Sequence, residues 1–215
     1  MIQRVWEGCQ HTGLFQEVAV ATDDERIFDH VGSFGGEAIM TSADAVNGTA
    51  RCWEASKKLL QECDVIVNVQ GDEPLIHEDH LTALTLMFED EQVEIASLIR
   101  KSESEEEYRN PHRIKVVKGV GGRALYFSRN PVPYITENFE SCFIHLGTYA
   151  YRRSTLDSII RTPIGKLAKA ESLEQLSWLE VGFNIHLAEV DGEHIGVDTP
   201  EDAERVREIL RNTAG

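Results

Sequence analysis

Basic residues are scarce in this chain: 21 Lys and Arg stand against 37 Asp and Glu, a formal charge of −16. Phosphate backbones and anionic lipids are held by basic faces, so this balance argues against nucleic acid and membrane surfaces as partners. Long apolar runs are also missing. The longest stretch without Asp, Glu, Lys or Arg covers residues 141–151, whereas a membrane span needs roughly 20 apolar residues. The opening MIQRVWE carries an early charge and no apolar segment, so it does not read as a secretion signal. Cys9, Cys52, Cys63 and Cys142 form no CxxC pair; scattered thiols fit a reducing cytoplasm better than a disulfide framework. Repeats, low-complexity tracts and linkers are absent. At 215 residues and 41% hydrophobic, the chain can bury a core without a disulfide or metal staple, and its length suits one domain.

Strand and helix patterns alternate through the first half. Residues 1–10 place Ile2, Val5, Trp6 and Cys9 on one helical stripe. Residues 18–22 and 37–40 read as short strands, with a helix between them opened by Asp23 and Asp24 and closed by Gly35 and Gly36. Residues 49–61 read as a helix. The β-branched run 64–69 is the clearest strand, ended by Pro74 and followed by a helix over 78–88. This rhythm predicts βαβ units and a mostly parallel sheet flanked by helices, an α/β fold. An acidic helix begins near 102–107, with Ser102 or Ser104 as cap. Residues 113–118 and 123–128 read as a hairpin, 141–151 and 185–190 as strands, and 154–161, 169–181 and 199–211 as helices. The mixed segment around 105–150 suggests a subsidiary sheet or lobe within a single domain, 1–215.

Four segments invite a functional reading. Residues 119–124 match GxGxxA, the form of a dinucleotide fingerprint, but that motif needs a helix to follow and the next residues are strand-like; a hairpin turn is the reading kept. His77 and His80 lie three apart rather than in HExxH, and the acids between them suit a helix N-terminus as well as a metal. The QGDEP segment, 70–74, lies past the C-terminal end of the strongest strand, where ligands bind in open α/β sheets; Gly, Asp and Pro are equally common in plain turns. In GVDTPED, 196–202, helix starting accounts for Thr199, Pro200 and Asp202. It does not account for Asp198, which stands outside the cap. If Asp72 and Asp198 reach one cleft, they make a two-carboxylate site suited to Mg²⁺ with substrate phosphates.

Taken together, VATDD (20–24), NGTAR (47–51), VIVNVQGDEP (65–74), ALYFSR (124–129), HLGTYAYR (145–152), ESLEQL (171–176) and GVDTPEDAERV (196–206) resemble the 3-deoxy-manno-octulosonate (Kdo) cytidylyltransferases, of the Rossmann-like nucleotide-diphosphosugar transferase fold. The segments run in family order over nearly the whole chain. The resemblance implies a cytoplasmic homodimer that joins CTP and Kdo with Mg²⁺, giving CMP-Kdo and pyrophosphate for lipopolysaccharide biosynthesis. It implies Asp72 and Asp198 as catalytic Mg²⁺ ligands. Gln70, Arg129, His145, Tyr149, Glu174 and Gln175 would hold Kdo, with Arg129 pairing with the sugar carboxylate. Thr41, Asn47, Gly48 and Thr49 would lie by the nucleotide.

The sequence departs from the family pattern in three places. Ala50 stands where many members have an acid, and Ser42 where many have a base. The family's opening strand and Gly/Arg/Lys-rich triphosphate loop have no counterpart before MIQRVWEGC, so the expectation is an N-terminally incomplete domain. Two alternatives follow: a sialic-acid-type cytidylyltransferase, and a non-catalytic relative that binds sugar or nucleotide.

Overall fold

The computed structural model describes residues 1–59, 62–192, 196–197 and 199–213. In chain order the elements are α1 Ile2–His11, β1 Ala19–Thr22, α2 Glu25–Ser33, β2 Glu37–Met40, α3 Gly48–Ser56, β3 Val65–Asn68 and α4 Glu78–Leu86 with a short 3₁₀ turn after it. Then come β4 Ile95–Ser102, α5 Glu105–Arg109, β5 Lys115–Lys118, β6 Ala124–Ser128, β7 Cys142–Arg152, α6 Arg153–Ile159, α7 Lys166–Glu171, α8 Gln175–Glu180, β8 Ile185–Glu189 and α9 Pro200–Thr213. They form two compact units: residues 1–62, 68–82 and 193–215 in the first, and 63–67 and 83–192 in the second. No described helix is long and apolar enough to cross a membrane.

In the first unit β1 and β2 pair in parallel, Val20 opposite Ala38 and Ala21 opposite Ile39. The α1 stripe faces inward as its spacing requires: Val5 and Cys9 are buried, and the Trp6 indole N–H donates to Val18 O at 3.0 Å. Asp24 caps α2 by accepting from the Arg26 amide at 2.8 Å, and Gly35 takes the left-handed conformation (φ 78°) that ends it. Helix α3 stops at Ser56, short of the predicted 61. At α9, Thr199 N–H donates to Asp202 Oδ2 at 2.9 Å, and the Asp202 amide returns to Thr199 Oγ1 at 3.1 Å, the reciprocal capping expected from TPED.

The second unit is built on a six-stranded mixed sheet in the order β6-β5-β7-β4-β8, with β3 also paired to β7. The mostly parallel sheet expected from the sequence is here a mixed one: β4 and β8 pair in parallel, while β7 runs antiparallel to both β4 and β5, and β5 antiparallel to β6. Residues 115–118 and 124–128 form the antiparallel hairpin read from the sequence. The segment following 119–124 is thus a strand, and the dinucleotide fingerprint has no helix to serve it. The core packs Leu84, Phe88, Val93, Ala96, Leu98, Leu146, Ala150, Ala188 and Val190 together. Two further features differ from the sequence reading. Strand β4, to which that reading assigns nothing, is the most buried strand in the chain. The helix expected over 169–181 is broken in two at Ser172, whose φ of 53° is left-handed.

Strand β7 carries a bulge where it passes β4. Ser97 pairs with Tyr149 and Ile99 with His145, so Leu98 alone faces Leu146, Gly147 and Thr148. Gly147 sits at φ 78°, a conformation open to glycine and costly for other residues. This accounts for the glycine in HLGTY.

Candidate active site

In the first unit, Gln70 and Asp72 lie in the turn after β3. Gly48, the first residue of α3, is packed against the Gln70 amide: a Cβ on Gly48 would stand 3.0 Å from Gln70 Nε2 and 3.1 Å from its Oε1. Any side chain at 48 would displace that amide. Asn47 caps α3, its Oδ1 accepting from the Ala50 amide at 2.8 Å. Thr49 is buried. Thr41 is buried after β2, where its hydroxyl accepts from Arg51 Nη1 at 2.7 Å; Arg51 also pairs with Asp23 at 3.2 Å. Ser42 donates its amide to the Glu54 carboxylate at 2.9 Å. That bond and the one from Lys58 hold the Glu54 carboxyl below the usual range.

The Val197 amide donates to the Asp72 carbonyl at 2.9 Å, which brings the GVDTPED segment to the QGDEP turn. Asp198 itself lies outside the described residues. Beside the turn, the Asn68 side chain is buried at the end of β3, and its Nδ2 has no hydrogen-bond partner among the described residues. His77 and His80 stand at the start of α4, with Glu78 and Asp79 in its first turn. The described residues contain no cluster of three or more potential metal ligands there or elsewhere.

In the second unit, the β7 bulge brings two predicted residues together. The His145 and Tyr149 rings are 5.1 Å apart. Phe127 meets His145 edge-on at 5.0 Å, and Trp178 of α8 meets Tyr149 at 5.3 Å. Tyr149 is 4% exposed, and its hydroxyl has no hydrogen-bond partner among the described residues. Burial, then the neighbouring Tyr151 and Glu174, push its phenol well above the ordinary range. Glu174 and Gln175 sit at the α8 N-terminus, Gln175 buried. The phenol is therefore a neutral donor in an aromatic wall.

Arg129 follows β6 and is fixed by backbone oxygens. Its Nε donates to Glu171 O at 2.7 Å, Nη1 to Pro111 O at 3.1 Å and Nη2 to Ser172 O at 3.4 Å. The guanidinium thus answers the terminal carbonyls of α7, three residues before Glu174.

Three residues that hold this arrangement escape the sequence reading. Glu171 accepts from Ser128 Oγ at 2.7 Å and from the Arg129 amide at 2.9 Å. Lys115, 0% exposed, donates to the carbonyls of Asn110, Arg113 and Arg129 at 2.6–2.8 Å, and burial lowers its pKa. Ser97 bonds the His145 ring from β4. A serine inside an otherwise apolar run was the only sequence signal for the last. A lysine alternating in a strand reads as exposed, so Lys115 gave none.

A cytidylyltransferase family profile matches residues 1–187. The 3-deoxy-manno-octulosonate cytidylyltransferase of Parabacteroides distasonis is 43% identical, over 99% of this chain and 88% of that protein. The enzyme of the same name from Chlamydia felis is 38% identical, over 98% and 83%. Among solved structures, CMP:2-keto-3-deoxy-manno-octonic acid synthetase complexed with CTP superposes with a TM-score of 0.92 at 40% identity, covering 99% of this chain and 88% of the other.

Proposed function

The chain belongs to the 3-deoxy-manno-octulosonate cytidylyltransferases, and from that premise we propose that it transfers CMP from CTP to Kdo through the residues described above. The anomeric oxygen of Kdo bonds to the α-phosphorus of CTP. The bond from that phosphorus to the bridging oxygen breaks, and pyrophosphate leaves with the electron pair. The hydroxyl proton passes to solvent. Catalysis of this kind is mostly positioning and charge neutralisation.

The observation that carries this reading is the contact of Gln70 with Gly48. It joins the turn proposed for the acid sugar and metal to the α3 N-terminus proposed for the nucleotide, all in one unit. On this reading the nucleotide is held by Thr41, Asn47, Gly48 and Thr49. In the second unit His145, Tyr149, Glu174 and Gln175 offer the acceptors and donors that a polyhydroxylated acid requires, and Arg129 offers the cation for its carboxylate.

Mg²⁺ fits the donor set. Asp72 supplies a hard oxygen from a turn whose own carbonyl is tied down by Val197, and two carboxylates with substrate phosphates are what this ion takes. Asp72 and Asp198 would hold it. When bound, it withdraws charge from the α-phosphate and aligns the reacting oxygens. We further propose a cytoplasmic homodimer that supplies lipopolysaccharide biosynthesis.

Pyrophosphate release from CTP and Mg²⁺ tests the reading, with Kdo in one arm and a sialic acid in the other. Release with Kdo and little with the sialic acid is expected. Release only with the sialic acid would move the substrate assignment. CTP binding without release in either arm would favour a non-catalytic relative.

A further inference from the structure

We propose that Trp178 is a positioning residue for the acid sugar: its indole docks α8 on β7 and so sets where Glu174 and Gln175 stand relative to Tyr149. The inference rests on the reading of those three residues as sugar ligands. The docking itself rests on ring geometry.

Tyr149 and Tyr151 lie two apart in β7, so both side chains leave the same face of the strand. Their rings stack with centroids 5.9 Å apart and planes at 16°. Trp178 meets both edge-on, at 5.3 Å and 76° for Tyr149 and at 5.9 Å and 82° for Tyr151. All three residues are buried. An edge-to-face contact has a preferred angle as well as a preferred distance. Two such contacts from one indole therefore fix both the distance of α8 from the strand and its rotation about its own axis. A leucine at this position would fill space and fix neither.

Gln175 and Glu174 stand three and four residues before Trp178, about one helical turn away on the same side of α8. The angle that the indole imposes is carried to them by the helix backbone. Polar bonds tie α8 to α7: Ser177 Oγ accepts the Gly165 amide at 3.0 Å, and the Glu180 carboxylate accepts those of Lys166 and Leu167 at 3.2 and 3.1 Å. The indole ties α8 to β7, the strand that carries Tyr149. A sugar gripped from β7 and α8 at once responds to any change in their separation. The residues proposed for the nucleotide belong to the first unit and take no part in this contact.

The test begins with the chain labelled with 5-fluorotryptophan, its three ¹⁹F signals assigned by replacing Trp6, Trp53 and Trp178 in turn with Phe. On titration with Kdo the Trp178 signal should move while those of Trp6 and Trp53 stay in place. A Trp178 signal that stays still while calorimetry records Kdo binding overturns the proposal. In Trp178→Leu the calorimetric Kd for Kdo should rise about tenfold, the worth of one hydrogen bond, with the Kd for CTP unchanged. Trp178→Phe keeps an aromatic edge and should recover most of that loss. Glu174→Gln alone should also cost about tenfold. Because Trp178 acts through α8, the double substitution with Trp178→Leu should fall well short of the roughly hundredfold product of independent effects; the full product overturns the proposal. If Trp178→Leu leaves Kdo affinity intact while Glu174→Gln and Tyr149→Phe weaken it, the positioning role fails. If none of the three changes it, the sugar reading of Tyr149 and Glu174 fails.

Discussion

Arg129 and Glu171 hold each other twice: the guanidinium Nε donates to the Glu171 carbonyl at 2.7 Å, and the Glu171 carboxylate accepts the Arg129 amide at 2.9 Å. The Ser128 hydroxyl adds a third bond at 2.7 Å to the same carboxylate. The end of β6 and the end of α7 are thereby one joint, and the predictions begin there.

Glu171→Ala removes an ionised acceptor from two donors. Bonds to charged groups are worth about 1.5–3 kcal/mol each, with discount for partial exposure. A loss of about 2 kcal/mol is expected in urea unfolding, together with weaker Kdo binding as Arg129 loosens. A loss below about 0.5 kcal/mol would show that the joint contributes little.

Lys115→Met keeps the volume of the side chain and strips three half-buried carbonyls of their donor. An unmet acceptor costs about 1–3 kcal/mol when fully buried and less where water reaches it, so destabilisation of about 2 kcal/mol is expected. Equal stability of variant and parent in thermal or chemical unfolding would mean that the three carbonyls find other partners.

Gly147→Ala places a Cβ on a left-handed residue. The cost is about 1–2 kcal/mol if the bulge persists. The spectroscopic signature to follow is the ring-current shift between His145 and Tyr149, which should change as the bulge relaxes. Unchanged stability and shifts would show that the turn tolerates a side chain.

Asp24 carries a pH dependence with a definite sign. Bonds from the Arg26 side chain and then the Arg26 amide pull its carboxyl from an ordinary 3.8 down to about 2. The folded state thus binds this proton less tightly than the unfolded one. Its contribution is complete above about pH 4 and is lost as pH falls through about 2. An NMR titration of the Arg26 amide should show a midpoint near 2, and Asp24→Asn should abolish it. A midpoint near 4 would contradict the capping arrangement.

Asp72→Asn keeps the size of the side chain and removes its charge. Pyrophosphate release should fall about a hundredfold or more, since a metal ligand is lost, while the unfolding midpoint stays close to the parent's. Retained turnover would remove Asp72 from the metal site.

Much of this was legible in the residues. The continuous β-branched run of β3 separates it from the helices beside it, and the strand-like residues after GVGGRA identify a hairpin rather than a nucleotide loop. TPED announces its own capping bonds. Strand β4 was not legible: Ile95–Ser102 is buried on both faces, so it lacks the alternation that marks a half-exposed strand, and it follows an acidic turn that suggests surface. The break at Ser172 was hidden as well. Neither glycine nor proline marks it, and what stabilises the left-handed turn is Arg129, distant in sequence. The His145–Tyr149 pair was named by resemblance, but its geometry depends on a bulge that spacing could not show. Lys115 was invisible because its partners are backbone oxygens, which every residue has.

The three carbonyls around Arg129 have an entropic consequence. A free arginine side chain loses about 2 kcal/mol of rotamer freedom when it is fixed. Here that loss occurs on folding, because Nε, Nη1 and Nη2 are already placed by Glu171, Pro111 and Ser172. A guanidinium has five N–H groups, and two of these five take no partner among the described residues. An anion that meets them binds a cation whose orientation is already chosen, so its affinity reflects the new contacts with little deducted for ordering the side chain.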